Sequence, residues 1–179
     1  MVFFAYFCKI AGAACIVFSC IKFGMKYRRQ LRMHKEMLDS LKSGLEFLEG
    51  KIVMGEEILE QGMRECGKRF FEKEEGNDVF SLYAEKLSEG ELSGDECWIR
   101  AISECRSCGI MQQEEEDLLA GLSSTLGTAD TEHHSSHILS VASKLGKLSD
   151  SANQKLKRDG GLVLKLSAAL SAVIILLLW

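Results

Sequence analysis

The last nineteen residues, GLVLKLSAALSAVIILLLW from Gly161 to Trp179, carry one charge, Lys165. A helix of that length is roughly 28 Å long, close to the hydrocarbon thickness of a bilayer, and the terminal Trp179 suits the far interface. The other end of the chain has the same character. Residues 2–25 are apolar apart from Lys9 and Lys22 and a few small polar residues, and lysines near the ends of a span can extend their charge to the interface. The spacing predicts an N-terminal transmembrane helix over 1–25 and a C-terminal one over 161–179, with residues 26–160 as one domain between them. A cleaved leader is the competing reading of the first segment. It is disfavoured by the lack of a basic stretch before the apolar run and of a small-x-small cleavage site after it.

The basic residues set the orientation. Lys22, Lys26, Arg28, Arg29, Arg32 and Lys35 crowd the inner side of the first apolar segment, and Lys155, Lys157 and Arg158 crowd the approach to the second. Positive residues flanking spans stay cytoplasmic, so both clusters predict a hairpin with its termini outside and residues 26–160 in the cytoplasm. The same cations can touch anionic lipid headgroups or dock a protein partner. Nucleic acid is an improbable partner, because the formal charge is -4 and the cations lie beside the apolar ends while the middle is acidic.

The middle reads as all-α. Proline is absent and Leu, Glu, Lys, Met and Ala are plentiful, which favours long helices joined by glycines. Leu31, His34, Leu38, Leu41, Leu45, Leu48 and Ile52 follow one another at steps of three and four, one stripe of a helix seeking a partner. That helix is expected to turn near Gly55 into EEILEQGMREC, and GKRFFEKEEGN reads as a looser segment. Val79, Phe80, Leu82, Tyr83 and Leu87 form another apolar face. Ser93 and Glu96 have capping-box spacing ahead of Trp98, Ile102 and Cys105, with Trp98 the expected core anchor. Leu118, Leu119, Leu122 and Leu126 follow an acidic helix start at Glu114 to Asp117. A second long stripe comprises Ile138, Val141, Leu145, Leu148, Ala152 and Leu156. The expected architecture is an antiparallel bundle of about six helices flanked by the two transmembrane helices.

No reactive constellation assembles from these residues. Cys105 and Cys108 have redox-pair spacing but follow a helix, where the dipole does not lower a thiol pKa, and a second pair for zinc is missing. His133 and His137 lie one turn apart without a third ligand or a general base. GLSSTLG lacks the lysine and strand of a phosphate loop. The odd total of seven cysteines, three of them in an apolar run, argues against a disulfide scaffold. We therefore assign no catalytic, cofactor or metal residue. The alternative is a membrane-anchored redox or metal protein using Cys105 and Cys108 or His133 and His137. Gly127 reads as a helix C-cap and Thr128, Asp130 or Thr131 as the next N-cap, so LSSTLGTADTEHH is a corner between two packed helices.

That corner also carries a resemblance. Leu126, Gly127, Thr128, Ala129 and Asp130, followed by His134, resemble the Leu-Gly-x-Ser-Asp-x-x-x-Gln signature of the stage III sporulation protein AB family. Ala129 stands for the usual Ser and His134 for the usual Gln. YRRQLR after the first apolar segment, Leu48-Glu49-x-x-Ile52-x-x-Gly55-x-x-x-Leu59, Trp98 after an acidic helix start and the glycine pair before the last segment resemble the family in the same order. Ile58 replaces a usual Pro and Ser123 a usual Gly. The resemblance implies a non-enzymatic membrane component of the channel between mother cell and forespore in endospore-forming bacteria, set in the mother-cell membrane facing the forespore. Its middle is similar to the cytoplasmic helical domain of the type II secretion F platform protein. The implied partners are the membrane, a cytoplasmic ATPase (stage III sporulation protein AA), other channel proteins and further copies of the chain, with no cofactor.

Overall fold

The computed structural model describes residues 2–54, 59–72, 77–107, 111–126 and 131–178; within its helices, side chains at 2–11, 13, 14, 16, 52–54, 106, 107, 126, 131–134, 164, 167, 171, 174, 175, 177 and 178 lie outside the description. Among the described residues the chain is entirely helical, with no strand. The helices are α1 (Val2–Met54), α2 (Leu59–Phe70), α3 (Val79–Glu89), α4 (Gly94–Ser107), α5 (Gln113–Ala120), α6 (Ser123–Leu126, a single turn) and α7 (Thr131–Leu178). A chain without proline has nothing to remove a backbone donor in mid-helix. Accordingly α1 runs 53 residues and α7 runs 48, the latter straight through Gly160 and Gly161. Each mid-helix glycine costs only about 1 kcal/mol relative to alanine.

Two compact units result: residues 36–149, and residues 1–35 together with 150–179. Both long helices contribute to each.

In the 36–149 unit the expected α1 stripe is buried at Leu38, Leu41, Leu45 and Leu48. The α7 stripe lies antiparallel to it, as the pairings Glu49 with Ser135 and Asp39 with Ser149 show. Ser135 Oγ donates to Glu49 Oε1 and Ser149 Oγ donates to Asp39 Oδ1. Ile138, Val141 and Leu145 of α7 are buried, Leu148 is half-buried and Ser149 takes a buried place; the last two members of the stripe, buried Ala152 and half-buried Leu156, belong to the other unit.

Aromatic rings join α3 to α4 and to the residue that follows α2. Phe71 lies 5.8 Å from Phe80, Phe80 lies 6.3 Å from Trp98, and Tyr83 meets Trp98 edge-on at 5.3 Å and 88°. Such tilted and edge-to-face contacts add to the area buried. Phe80 presses on α1 where the chain has Gly44: a Cβ there would stand 2.6 Å from the Phe80 ring.

The looser segment expected from Gly67 is helical up to Phe70. Gly67 does not end α2; a Cβ on it would stand 2.0 Å from Ser81 Oγ and 3.0 Å from the Asp78 carboxylate. The glycine serves a close helix-to-helix approach, which sequence reading mistakes for a terminator. Helix α3 opposite is capped by Asp78, whose Oδ1 accepts from the N–H groups of Phe80 and Ser81 at 3.0 Å each. It ends at Gly90, in the left-handed conformation at φ 69°. Half of the expected capping box is present at α4, where the Ser93 N–H donates to Glu96 Oε2 at 3.4 Å. A similar contact opens α5, with the Gln112 N–H donating to Glu115 Oε2 at 2.7 Å.

Candidate functional site: a basic collar beside exposed apolar side chains

The cations singled out in the sequence fall into one place. Lys26, Arg28, Arg29 and Arg32 on α1 and Lys155, Lys157 and Arg158 on α7 are all exposed, and all belong to the unit formed by 1–35 and 150–179. Arg28 lays its aliphatic stem along α7: a Cβ at Gly160 would stand 3.4 Å from Arg28 Cγ and 3.8 Å from its Cδ. This arginine of α1 thus lies against α7 at the end of the α7 cluster.

The electrostatics of the two units are opposite. Residues 1–35 and 150–179 contain eleven Lys or Arg and two acids, a net charge of +9, whereas 36–149 contains eleven Lys or Arg and twenty-four acids, a net charge of -13. No acid at all lies in 1–35. Within the collar Arg158 Nε donates to Asp159 Oδ1 at 2.8 Å. That hydrogen bond and the adjacent charge hold the Asp159 carboxyl below the usual carboxylate range.

Beside the cations the same helices expose large apolar side chains. Phe18 is 64% exposed, Phe23 68%, Leu166 65% and Leu176 79%, and Ile21, Met25, Leu162, Leu170 and Val173 are exposed as well. Each such side chain left in water forgoes roughly 1.5–3 kcal/mol of burial. Lys22 Nζ lies 5.2 Å from the centre of the Phe18 ring, a cation resting on an aromatic face. Among the described residues no helix is long and apolar enough to cross a membrane.

The other residues picked out from the sequence are dispersed. Trp98 is fully buried and donates its indole N–H to the Leu119 carbonyl at 2.7 Å, tying α4 to α5. Of the corner motif, Leu126 closes α6 and His134 lies in the first turn of α7, both with side chains outside the description, while Gly127 and Asp130 lie outside the described residues. Cys105 is half-buried, Cys108 and the His133 side chain lie outside the described residues, and His137 Nδ1 is 2.6 Å from Thr125 Oγ1. No group of three metal-ligating side chains occurs among the described residues.

Buried thiols elsewhere are held neutral. Desolvation first, then the charges of Glu65 and Asp78, push Cys66 up to about 12, and burial raises Cys97. Both are poor nucleophiles in the folded chain.

Sequence reasoning missed Asp78. Its second oxygen, Oδ2, is buried with no hydrogen-bond partner among the described residues. It stands near Gly67, behind an open groove of about 500 Å³ between α2 and α3 lined by Arg64, Lys68, Phe71, Ser81 and Glu85. The signal was an Asp directly before an apolar run.

Two comparisons bear on this geometry. The sequence model of the family described as stage III sporulation protein AB matches residues 9–179. A solved structure of a stage III sporulation protein AB is similar to the chain with a TM-score of 0.57 and 21% sequence identity, over 73% of this chain and 96% of that one. No curated protein gives a significant match. At that identity the structural likeness carries the fold alone.

Proposed function

The chain belongs to the stage III sporulation protein AB family, and from its role in sporulation we propose that it is a non-enzymatic membrane platform of the channel between mother cell and forespore. Its two apolar ends anchor it in the mother-cell membrane as a hairpin. The acidic 36–149 unit faces the cytoplasm and couples an ATPase, stage III sporulation protein AA, to the membrane assembly.

The observation that carries this reading is the pairing of exposed apolar side chains with exposed cations in one unit. In water that surface is costly; across a bilayer and its headgroups the apolar part is solvated by lipid and the cations by phosphate. The dense packing of the other unit around Trp98, Tyr83 and Phe80 supports a rigid body able to transmit contact from one protein to another. Rigid bodies of this kind work by presenting surfaces, and no catalytic residue is assigned to it.

Co-purification from sporulating cells tests the coupling. Affinity capture of the full chain in mild detergent should retain the ATPase. Reversing acids on the exposed surface of the 36–149 unit, Glu91→Lys with Glu114→Lys, should weaken that retention if the contact is electrostatic. Recovery of the intact membrane complex without any ATPase would remove the coupling role.

A further inference from the structure

We infer that the basic collar is a headgroup-binding site for anionic phospholipid, built jointly by the two ends of the chain. This rests on the membrane-anchored reading and adds to it a lipid chemistry.

The argument has three parts. The first is composition of the site: Lys26, Arg28, Arg29 and Arg32 from α1 share one compact unit with Lys155 and Lys157 from α7, all exposed. Only Arg158 among the α7 cations has an acid as its immediate neighbour in sequence, and it is paired with that acid. The second is placement. The cations directly adjoin the exposed apolar residues Phe23, Met25 and Leu162, so side chains suited to acyl chains and side chains suited to phosphates follow each other along both helices, the order of layers in one leaflet. The third is discrimination. A net charge of +9 in this unit against -13 in the other means that an anionic bilayer surface attracts the first and repels the second, within a Debye length of about 8 Å at physiological salt. A zwitterionic surface does neither. An acidic protein would answer to the cations alone and leave the neighbouring apolar side chains unexplained.

The test reconstitutes the full chain into mixed phosphatidylcholine and phosphatidylglycerol vesicles, excises it with its boundary lipid in polymer discs, and measures the phosphatidylglycerol fraction relative to the bulk vesicle. Enrichment that falls as salt is raised is expected. A variant with Lys26, Arg28, Arg29, Arg32, Lys155 and Lys157 all changed to Gln should lose it, the fraction returning to the bulk value, since each surface cation is worth up to about fivefold in lipid affinity. The double variant Lys68→Gln, Lys144→Gln, two exposed cations of the other unit, should keep it. Resistance of the vesicle-bound chain to alkaline carbonate reports anchoring separately.

Carbonate-resistant protein without phosphatidylglycerol enrichment overturns the lipid site and leaves the anchor standing. Carbonate-extractable protein that still floats with phosphatidylglycerol vesicles and not with phosphatidylcholine supports the lipid site and removes the anchor. Retained enrichment in the six-site variant, or its loss of a co-purifying acidic protein in place of lipid, overturns the lipid site.

Discussion

Gly44 and Gly50 both lie on α1 and should answer the same substitution with opposite signs. A Cβ at Gly44 would stand 2.6 Å from the ring of Phe80, itself fully buried, whereas nothing lies within 4 Å of one at Gly50. Gly50→Ala should therefore stabilise the chain by about 1 kcal/mol through helix propensity alone. Gly44→Ala should destabilise it by about 1–3 kcal/mol through overpacking; denaturant midpoints of the full chain in mild detergent check both. Trp98→Ala removes the ring that meets Tyr83 and Phe80 and one of the hydrogen bonds to the Leu119 carbonyl, which still accepts from the Leu122 N–H, with an expected loss of about 3–5 kcal/mol in the same measurement. Trp98 was legible in the sequence because a large aromatic beside small and apolar residues one turn on seeks burial. Gly67 was not legible, since a contact glycine and a terminating glycine read alike until the neighbouring helix is in place. The buried acids of the core add a pH dependence. Cys66 is pushed up to about 12, and Tyr83 to about 12 by burial first and then by Cys97 and Asp95. Above their unfolded values the unfolded chain gives up these protons while the folded chain retains them, so stability falls as pH rises from about 9 towards 12. A denaturant midpoint that is flat over that window would contradict the placement of both groups.

Among the elements, α1 and α7 hold the design of the 36–149 unit, and their register is marked by two carboxylate-to-serine ties. Glu49 with Ser135 and Asp39 with Ser149 cross from one helix to the other at well-separated levels, and slipping the pair by a residue would break both. A double-mutant cycle on Asp39→Asn and Ser149→Ala should return a coupling of about 1 kcal/mol or more, a charged acceptor being worth more than a neutral one; additive effects would deny the tie. The leucine stripes that bring these helices together were visible in the sequence as steps of three and four. The ties were not, because a serine among solvent-facing serines has no signature until its acid partner, about a hundred residues away, lies opposite. Helix lengths were legible in principle from the lack of proline. The glycine pair at Gly160 and Gly161 nevertheless reads as a boundary, although α7 runs through both.

At the scale of the molecule, the chain separates its charge: the unit made from its two ends is basic and the unit made from its middle is acidic. The two basic runs are plain in the sequence at opposite ends of the chain. Their union in one compact unit depends on the antiparallel return of α7, which no local pattern encodes. The all-helical class and the family were both within reach of sequence reading, the first through composition and periodicity and the second through the order of weak motifs. The function of a platform depends on which side of the membrane its acidic unit occupies, and a topology measurement asks that directly. A Glu91→Cys variant places an exposed thiol in the turn between α3 and α4, in a background with Cys8, Cys15, Cys20, Cys105 and Cys108 changed to Ser, and is challenged with a membrane-impermeant maleimide. The account predicts labelling in inside-out vesicles and none in intact cells. Labelling of intact cells, or release of the whole chain from the membrane by alkaline carbonate, would contradict it.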